Sequence, residues 1–224
     1  MKVALLMTLF FSLVCSGKSS YSAKRLNQLS GEKSSKFDTK SSWDLAYSRP
    51  SFIFGKSPAK FLAENFDFLA PNSNVLDMGM GEGRNAVFLA QKGHKVTGID
   101  ISSVAIKKAH MLAKEFGVKV KGVVASLEKY SIPENSFDAI ICFYYVDRKL
   151  AAKIKKWLKP GGVLVYEAYT EKQKNKKNHQ KYSEDQYLRP GELLEMFKGM
   201  KLLKYEEPLH ESVFRASVIF QKPI

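Results

Sequence analysis

Two acids and a run of glycines carry the densest chemistry in the 224-residue sequence. Val75-Leu76-Asp77 is a short apolar run that closes on a carboxylate, and Gly79, Gly81 and Gly83 follow at alternate positions. A helical pattern begins at Asn85. This order predicts strand, tight turn, helix. Glycines let the main chain turn without a Cβ in the way, so a ligand can lie directly against the backbone. The helix N-terminus beyond adds free N–H groups and a partial positive charge. Lys95 to Asp100 reads as a second strand that also ends in an acid. An acid about 20 residues past the first glycine is placed to bind two ribose hydroxyls. The chemistry on offer is the capture of a dinucleotide or another adenosine cofactor.

The spacing carries a family resemblance. Asp77-Met78-Gly79-Met80-Gly81-Glu82-Gly83 resembles the acid-plus-GxGxG signature of class I S-adenosylmethionine-dependent methyltransferases, whereas nicotinamide enzymes use GxGxxG. Leu158-Lys159-Pro160-Gly161-Gly162, followed by Val163 to Glu167, is similar to the turn and fifth strand of that family. The segments Trp43–Lys56 and Phe143–Arg148 resemble those of small bacterial tellurite-resistance and thiopurine-type methyltransferases. The resemblance runs from about Trp43 onward. It implies S-adenosyl-L-methionine as cofactor and a small-molecule methyl acceptor; the sequence itself offers no metal-ligand spacing and no extra domain for tRNA or DNA.

Residues and resemblance together place cofactor contacts at Asp77, Gly79, Gly81 and Arg84 in the loop and at Asp100 and Ile101 after the second strand. Ser126 and Leu127 stand where the adenine would lie. Many relatives carry an acid at the position of Ser126, so the adenine contact departs from the family pattern. Phe143 ends the fourth strand, which lies beside the first and faces the reactive group. Tyr47, Phe54 and Gly55 belong to an aromatic segment that in similar proteins covers the methionine end of the cofactor. The alternative for these aromatics, and for Trp43 above all, is packing of an N-terminal helix onto the sheet. One of Tyr144 and Tyr145 is expected to be a packing residue. No catalytic base can be named: Tyr144, Tyr145, Glu167 and His179 qualify by position only.

The elements that must hold these residues alternate regularly. Short helices are expected at Trp43–Tyr47 and from Pro58 to Phe68, the latter capped by Ser57. Further helices are expected from Asn85 to Lys92, from a Ser102 or Ser103 cap to Phe116, from Arg148 to Leu158, and one opened by the stretch Tyr187–Leu194 and running to about Met200. Strands are expected at Val118–Val124, Ser136–Phe143 and Val163–Tyr169, with a closing hairpin of Leu202–Glu206 and Phe214–Gln221. The near-continuous apolar run of Ala139–Phe143 suits a strand buried on both faces of a parallel sheet. The fold class is α/β: a doubly wound, mostly parallel seven-stranded sheet with an antiparallel C-terminal hairpin.

Composition narrows the function classes. The net charge is +14, from 36 basic and 22 acidic residues. Such a balance suits nucleic acid, an anionic surface or an acidic substrate, but the lysines are scattered and read as a solvated surface. No nucleic-acid-binding motif appears. The two cysteines, Cys15 and Cys142, give no disulfide framework, and His94, His110, His179 and His210 show no ligand spacing and read as surface or loop residues. A nicotinamide oxidoreductase and a basic nucleic-acid-binding module remain the alternatives to a methyltransferase.

Residues 1–16 form a leader: Lys2, then an apolar run from Val3 to Cys15 broken only by Thr8 and Ser12. It resembles a signal peptide and is shorter than the roughly 20 residues of a membrane span. Lys18, Lys24, Arg25, Lys33 and Lys36 follow it, and positive charge tends to stay cytoplasmic. A cytoplasmic location is expected, with export or membrane association through the leader as the alternative. Residues 17–41 read as a disordered linker rich in serine and lysine, and 42–224 as the folded domain.

Overall fold

The structure, a computed structural model, describes residues 40–176, 182–208 and 212–224. The leader, most of the linker, Cys15, His179 and His210 lie outside the described residues.

Seven strands form one sheet: β1 Asn74–Met78, β2 Lys95–Asp100, β3 Lys121–Val124, β4 Phe137–Phe143, β5 Leu158–Tyr169, β6 Lys201–Glu206 and β7 Arg215–Gln221. Their spatial order is β3-β2-β1-β4-β5-β7-β6. Strands β1 to β5 pair in parallel, and β7 runs antiparallel between β5 and β6. The order reverses at β1, which lies between β2 and β4. Open α/β sheets bind ligands at the carboxyl ends of the strands flanking such a reversal.

The helices are α1 Lys40–Tyr47, α2 Lys60–Asn65, α3 Arg84–Gln91, α4 Ser103–Glu115, α5 Ala151–Trp157, α6 Glu171–Lys174 and α7 Glu192–Met196. Alternate strand residues feed two cores, as the period of two requires. Val75, Ala139, Ile141 and Val165 pack under α2, α3 and α4. Leu76, Ile140, Cys142 and Leu164 pack against α5 and α7 on the other face. Among the described residues no helix is long and apolar enough to cross a membrane.

Several boundaries differ from the sequence expectation. Helix α2 begins at Lys60, not Pro58, and Ser57 does not cap it, because the Ala59 N–H at its entrance is taken by the Asn85 side chain at 2.9 Å. The expected strand from Val118 begins at Lys121, where pairing with β2 begins. The helix expected from Arg148 opens as a 3-10 turn, Arg148–Leu150, capped by Asp147. Helix α7 stops at Met196. His94 is buried and not a surface residue, and burial lowers its pKa. Ser102 is the residue that caps α4, accepting from the Ala105 N–H at 3.1 Å.

Candidate cofactor site

The Met78–Arg84 loop is a chain of tight contacts. Gly79, Gly81 and Gly83 all have positive φ, which side-chain-bearing residues rarely adopt. A Cβ on Gly81 would stand 3.0 Å from the Tyr47 hydroxyl. One on Gly83 would collide with Ala109 of α4 at 2.7 Å. The first of these glycines keeps the loop open toward a ligand, while the last lets two helices approach. The loop is tied to the second strand by its acid: the Gly81 N–H donates to Asp100 Oδ2 and the Ser102 N–H to Oδ1, both at 2.8 Å. Burial raises the Asp100 pKa, and these two hydrogen bonds pull it back.

Asp77, at the end of β1, is 2% exposed. The Ala86 N–H of the first turn of α3 hydrogen-bonds its carboxyl, but Oδ2 has no partner. Burial pushes the Asp77 pKa up to about 8, with the charge of Asp100 adding to the shift and Arg84 opposing it. An ionised carboxyl with a bare oxygen in so dry a place is costly, which favours the protonated form.

These groups open onto one cavity of about 490 Å³ at the carboxyl ends of β1, β2 and β4. All twelve residues expected to contact a cofactor line it: Tyr47, Phe54, Gly55, Asp77, Gly79, Gly81, Arg84, Asp100, Ile101, Ser126, Leu127 and Phe143. Trp43 lines it too, stacked on Tyr47 with ring centroids 5.4 Å apart, so the tryptophan both packs and contributes to the wall. Glu128 reaches the cavity as well.

The aromatic segment is bolted to the loop by buried polar groups. Lys108 of α4 donates to the carbonyls of Arg49 and Ser51 at 2.9 and 2.8 Å, and to that of Tyr47 at 3.3 Å. Its Nζ lies 2.5 Å from Glu82 Oε1, a charge contact without hydrogen-bond alignment, since three carbonyls take the ammonium hydrogens. Glu82 Oε2 in turn accepts from the Ile53 N–H at 2.7 Å. Asp44 of α1 accepts from the Ser102 hydroxyl at 2.6 Å and pairs with Lys40. Those contacts hold its carboxyl at about 2, the Lys40 bond contributing most. Lys108 and Glu82 were not singled out from sequence. Lys108 nevertheless shares a helix face with Ala105, Ala109 and Leu112, which was the available signal.

The opposite wall begins with Tyr144, whose φ is +60°. A non-glycine residue held there is strained and is fixed by its surroundings. Its N–H donates to the Glu167 carbonyl at 2.7 Å and its hydroxyl to Glu167 Oε1 at 2.6 Å. Glu167 is 1% exposed and also meets the Ser217 hydroxyl at 2.7 Å and Arg215 at 3.2 Å. Of the position-based base candidates, Glu167 is therefore sealed inside the protein, and Tyr144 lies between it and the cavity. Burial, then the Glu167 charge, raises the Tyr144 pKa. Arg84 donates to the Phe54 carbonyl at 3.2 Å and lies 5.7 Å from the Tyr144 ring centre. Tyr145 turns the other way and packs over Gly79. Tyr182 and Gln186, not anticipated from sequence, complete the wall; the Gln186 amide brackets the Val146 N–H and carbonyl at 3.2 and 3.0 Å. Arg148 anchors this stretch by two bonds to Glu192, at 2.6 and 2.9 Å, and bonds to the carbonyls of Asp185 and Tyr187.

Residues 75–162, which run from β1 into β5, match a family model described as a methyltransferase domain. That stretch, from the first strand into the fifth, is similar to a methyltransferase domain. A sterol 24-C-methyltransferase of Gibberella zeae is 31% identical over 143 residues, 56% of this chain and 37% of its own length. Among solved structures, TehB of Haemophilus influenzae matches with a TM-score of 0.59 at 18% identity, over 82% of this chain and 66% of its own. An S-adenosylmethionine-dependent methyltransferase from Aquifex aeolicus matches at 0.58 and 20%, over 89% of this chain and 97% of its own. At those identities the structural likeness is one of fold. The chain spans 33–59% of the length of the curated relatives it matches. Among the described residues no cluster of three His, Cys, Asp or Glu side chains could hold a metal ion.

Proposed function

We propose that the protein is an S-adenosylmethionine-dependent methyltransferase acting on a small molecule. The observation that carries this reading is the cradle itself: a glycine loop with no room for side chains, an acid at each of two adjacent strand ends, and one buried carboxyl oxygen without a partner. These features fit the cofactor. Asp100 would bind ribose hydroxyls through the acceptor sites its two backbone bonds leave open. Ile101 and Leu127 would flank the adenine, with Ser126 as a hydrogen-bonding partner. Tyr47 and Phe54 would shield the reacting end from water.

When bound, the cofactor supplies an electrophilic methyl on a sulfonium. The chain then has to hold an acceptor in line and exclude water, which together can lower much of the barrier. Tyr144, locked in place by Glu167, is the polar group of the far wall that can fix such an acceptor. A nicotinamide oxidoreductase and a nucleic-acid module have no observation in their favour. The donor is a cytosolic metabolite, which supports a cytoplasmic location and a leader separable from a domain beginning near residue 42.

Incubation with methyl-labelled S-adenosylmethionine and a small-molecule cell extract tests the reading. Labelled products are expected, and they should vanish when Gly81→Val replaces the wild type. Label transferred only to added RNA or protein would overturn the small-molecule assignment.

A further inference from the structure

Among the described residues, Tyr144 is the one non-glycine residue lining the cavity with a positive φ, at +60°. A bulky residue keeps such a conformation only when its surroundings impose it, and strain of this kind collects at functional sites. Two bonds to a single residue impose it here. The Tyr144 N–H donates to the Glu167 carbonyl at 2.7 Å, and the phenol donates to Glu167 Oε1 at 2.6 Å. The Tyr169 ring lies against the Tyr144 ring with centres 4.8 Å apart, and the Arg84 guanidinium is 5.7 Å from its centre. Behind the phenol, Glu167 Oε2 accepts from the Ser217 hydroxyl at 2.7 Å and meets Arg215 at 3.2 Å. Glu167 is 1% exposed and does not line the cavity. The phenolic hydrogen is therefore committed inward, and what the oxygen has left to offer is lone pairs. The carboxylates that line the cavity directly are placed differently. Asp147 caps the turn at Lys149, and Glu128 and Asp185 are exposed to water.

We propose that the acceptor is a neutral hydroxyl or thiol compound whose O–H or S–H donates to Tyr144, and that Tyr144 relays this proton to Glu167 during methyl transfer. The inference rests on the methyltransferase reading above and names the acceptor class for the same site. An anionic nucleophile would find the phenolic hydrogen already taken, whereas a protonated one finds a hydrogen-bond acceptor. A protonated nucleophile must also shed its proton as it is methylated. The acceptor's lone pair forms the bond to the methyl carbon, and the carbon–sulfur bond breaks with its electrons left on sulfur. The acceptor's O–H or S–H bond breaks toward the Tyr144 oxygen, while the Tyr144 proton passes to Glu167 Oε1. Glu167 goes from carboxylate to carboxylic acid, and Tyr144 begins and ends as a phenol. Arg215 and Ser217 hold the other oxygen, Oε2, which leaves Oε1 to take the proton. Because Glu167 is sealed from solvent, the proton returns through the same phenol to water once the products leave.

The full chain is incubated with methyl-labelled S-adenosylmethionine and a small-molecule cell extract, and the labelled products are identified by mass spectrometry. Ethers or thioethers are expected, and their purified parent compound then reads the relay. Tyr144→Phe should lower kcat at pH 7 by roughly 100- to 10,000-fold, with the affinity for S-adenosylhomocysteine unchanged in calorimetry. Its remaining rate should climb roughly tenfold per pH unit below the acceptor's own pKa, because only acceptor ionised by solvent reacts. The wild-type rate should stay level above pH 7. Glu167→Gln should show the same slope: its amide oxygen stays with Arg215 and Ser217, and its NH2 group donates to the Tyr144 oxygen, which blocks the relay. Either variant suffices if the other does not fold. Label in no hydroxyl or thiol compound, alongside saturable binding of S-adenosylhomocysteine, overturns the proposal and leaves the cofactor reading intact. Variants that keep the wild-type kcat, or lose it by the same factor at every pH, also overturn it. No binding of S-adenosylhomocysteine to folded wild type removes the cofactor reading and this inference together.

Discussion

The two sides of the cavity are built in different ways. The floor, from Asp77 through Asp100 to Leu127, is made by consecutive strand ends and one loop. Its bonds are mostly between main chain and the acids of the motif. The covers come from far along the chain and are held by buried charge. Lys108 and Glu82 clamp residues 47–53 on one side, and Arg148 and Glu192 clamp residues 185–189 on the other. The two clamps also differ. The Lys108 and Glu82 side chains are 10% and 3% exposed, whereas Arg148 is 38% exposed over a Glu192 at 3%. A floor written locally in sequence can be read locally. Covers assembled from distant ion pairs leave no local mark in the sequence, and the strength of each pair depends on how dry it is.

That difference can be broken experimentally. Lys108→Met should have the largest effect on stability, about 3–5 kcal/mol in urea denaturation, because it leaves Glu82 buried without its cation. It should also weaken S-adenosylhomocysteine binding, since Tyr47 and Phe54 lose their anchor. The double change Lys108→Met with Glu82→Gln should recover part of the lost stability. An unchanged unfolding midpoint in the single variant would show that the clamp does not hold the cover.

Arg148→Met should cost less, about 1.5–3 kcal/mol for charged hydrogen bonds that remain partly open to water. Its S-adenosylhomocysteine affinity should equal that of the wild type, because the wall it anchors is the one proposed to face the acceptor. A matching loss of nucleoside affinity would erase the distinction between the two sides. Ser126→Ala should have the smallest effect, about 0.5–1.5 kcal/mol of nucleoside affinity by calorimetry, as one neutral hydrogen bond is removed.

The same contrast explains what could be read from sequence. Glycine spacing, two strand-end acids and alternating apolar runs are local signals, and they placed the floor and the succession of strands and helices along the chain. The clamps were not legible because Glu82 resembles any charged loop residue and Lys108 one more lysine among many. Only its position on the apolar face of α4 marked it. Ser57 looked like a helix cap because nothing local shows that Asn85, 26 residues away along the chain, takes the Ala59 N–H. His94 follows a helix-stopping glycine and looked exposed. Its burial follows from packing that no local pattern records. Tyr182 and Gln186 sit in a polar stretch whose role depends on the hydrogen bonds to Val146.

The central claim is that the glycine loop and its two acids bind S-adenosylmethionine. Titration calorimetry of S-adenosylhomocysteine into wild type and Gly81→Val tests it most directly. At this position φ is +55°, which side-chain-bearing residues rarely adopt, and a Cβ would stand 3.0 Å from the Tyr47 hydroxyl. The expected result is saturable binding by the wild type and none by a Gly81→Val protein that still unfolds cooperatively. Equal binding by the two proteins, or no binding by the wild type alongside saturable binding of a nicotinamide dinucleotide, would contradict it.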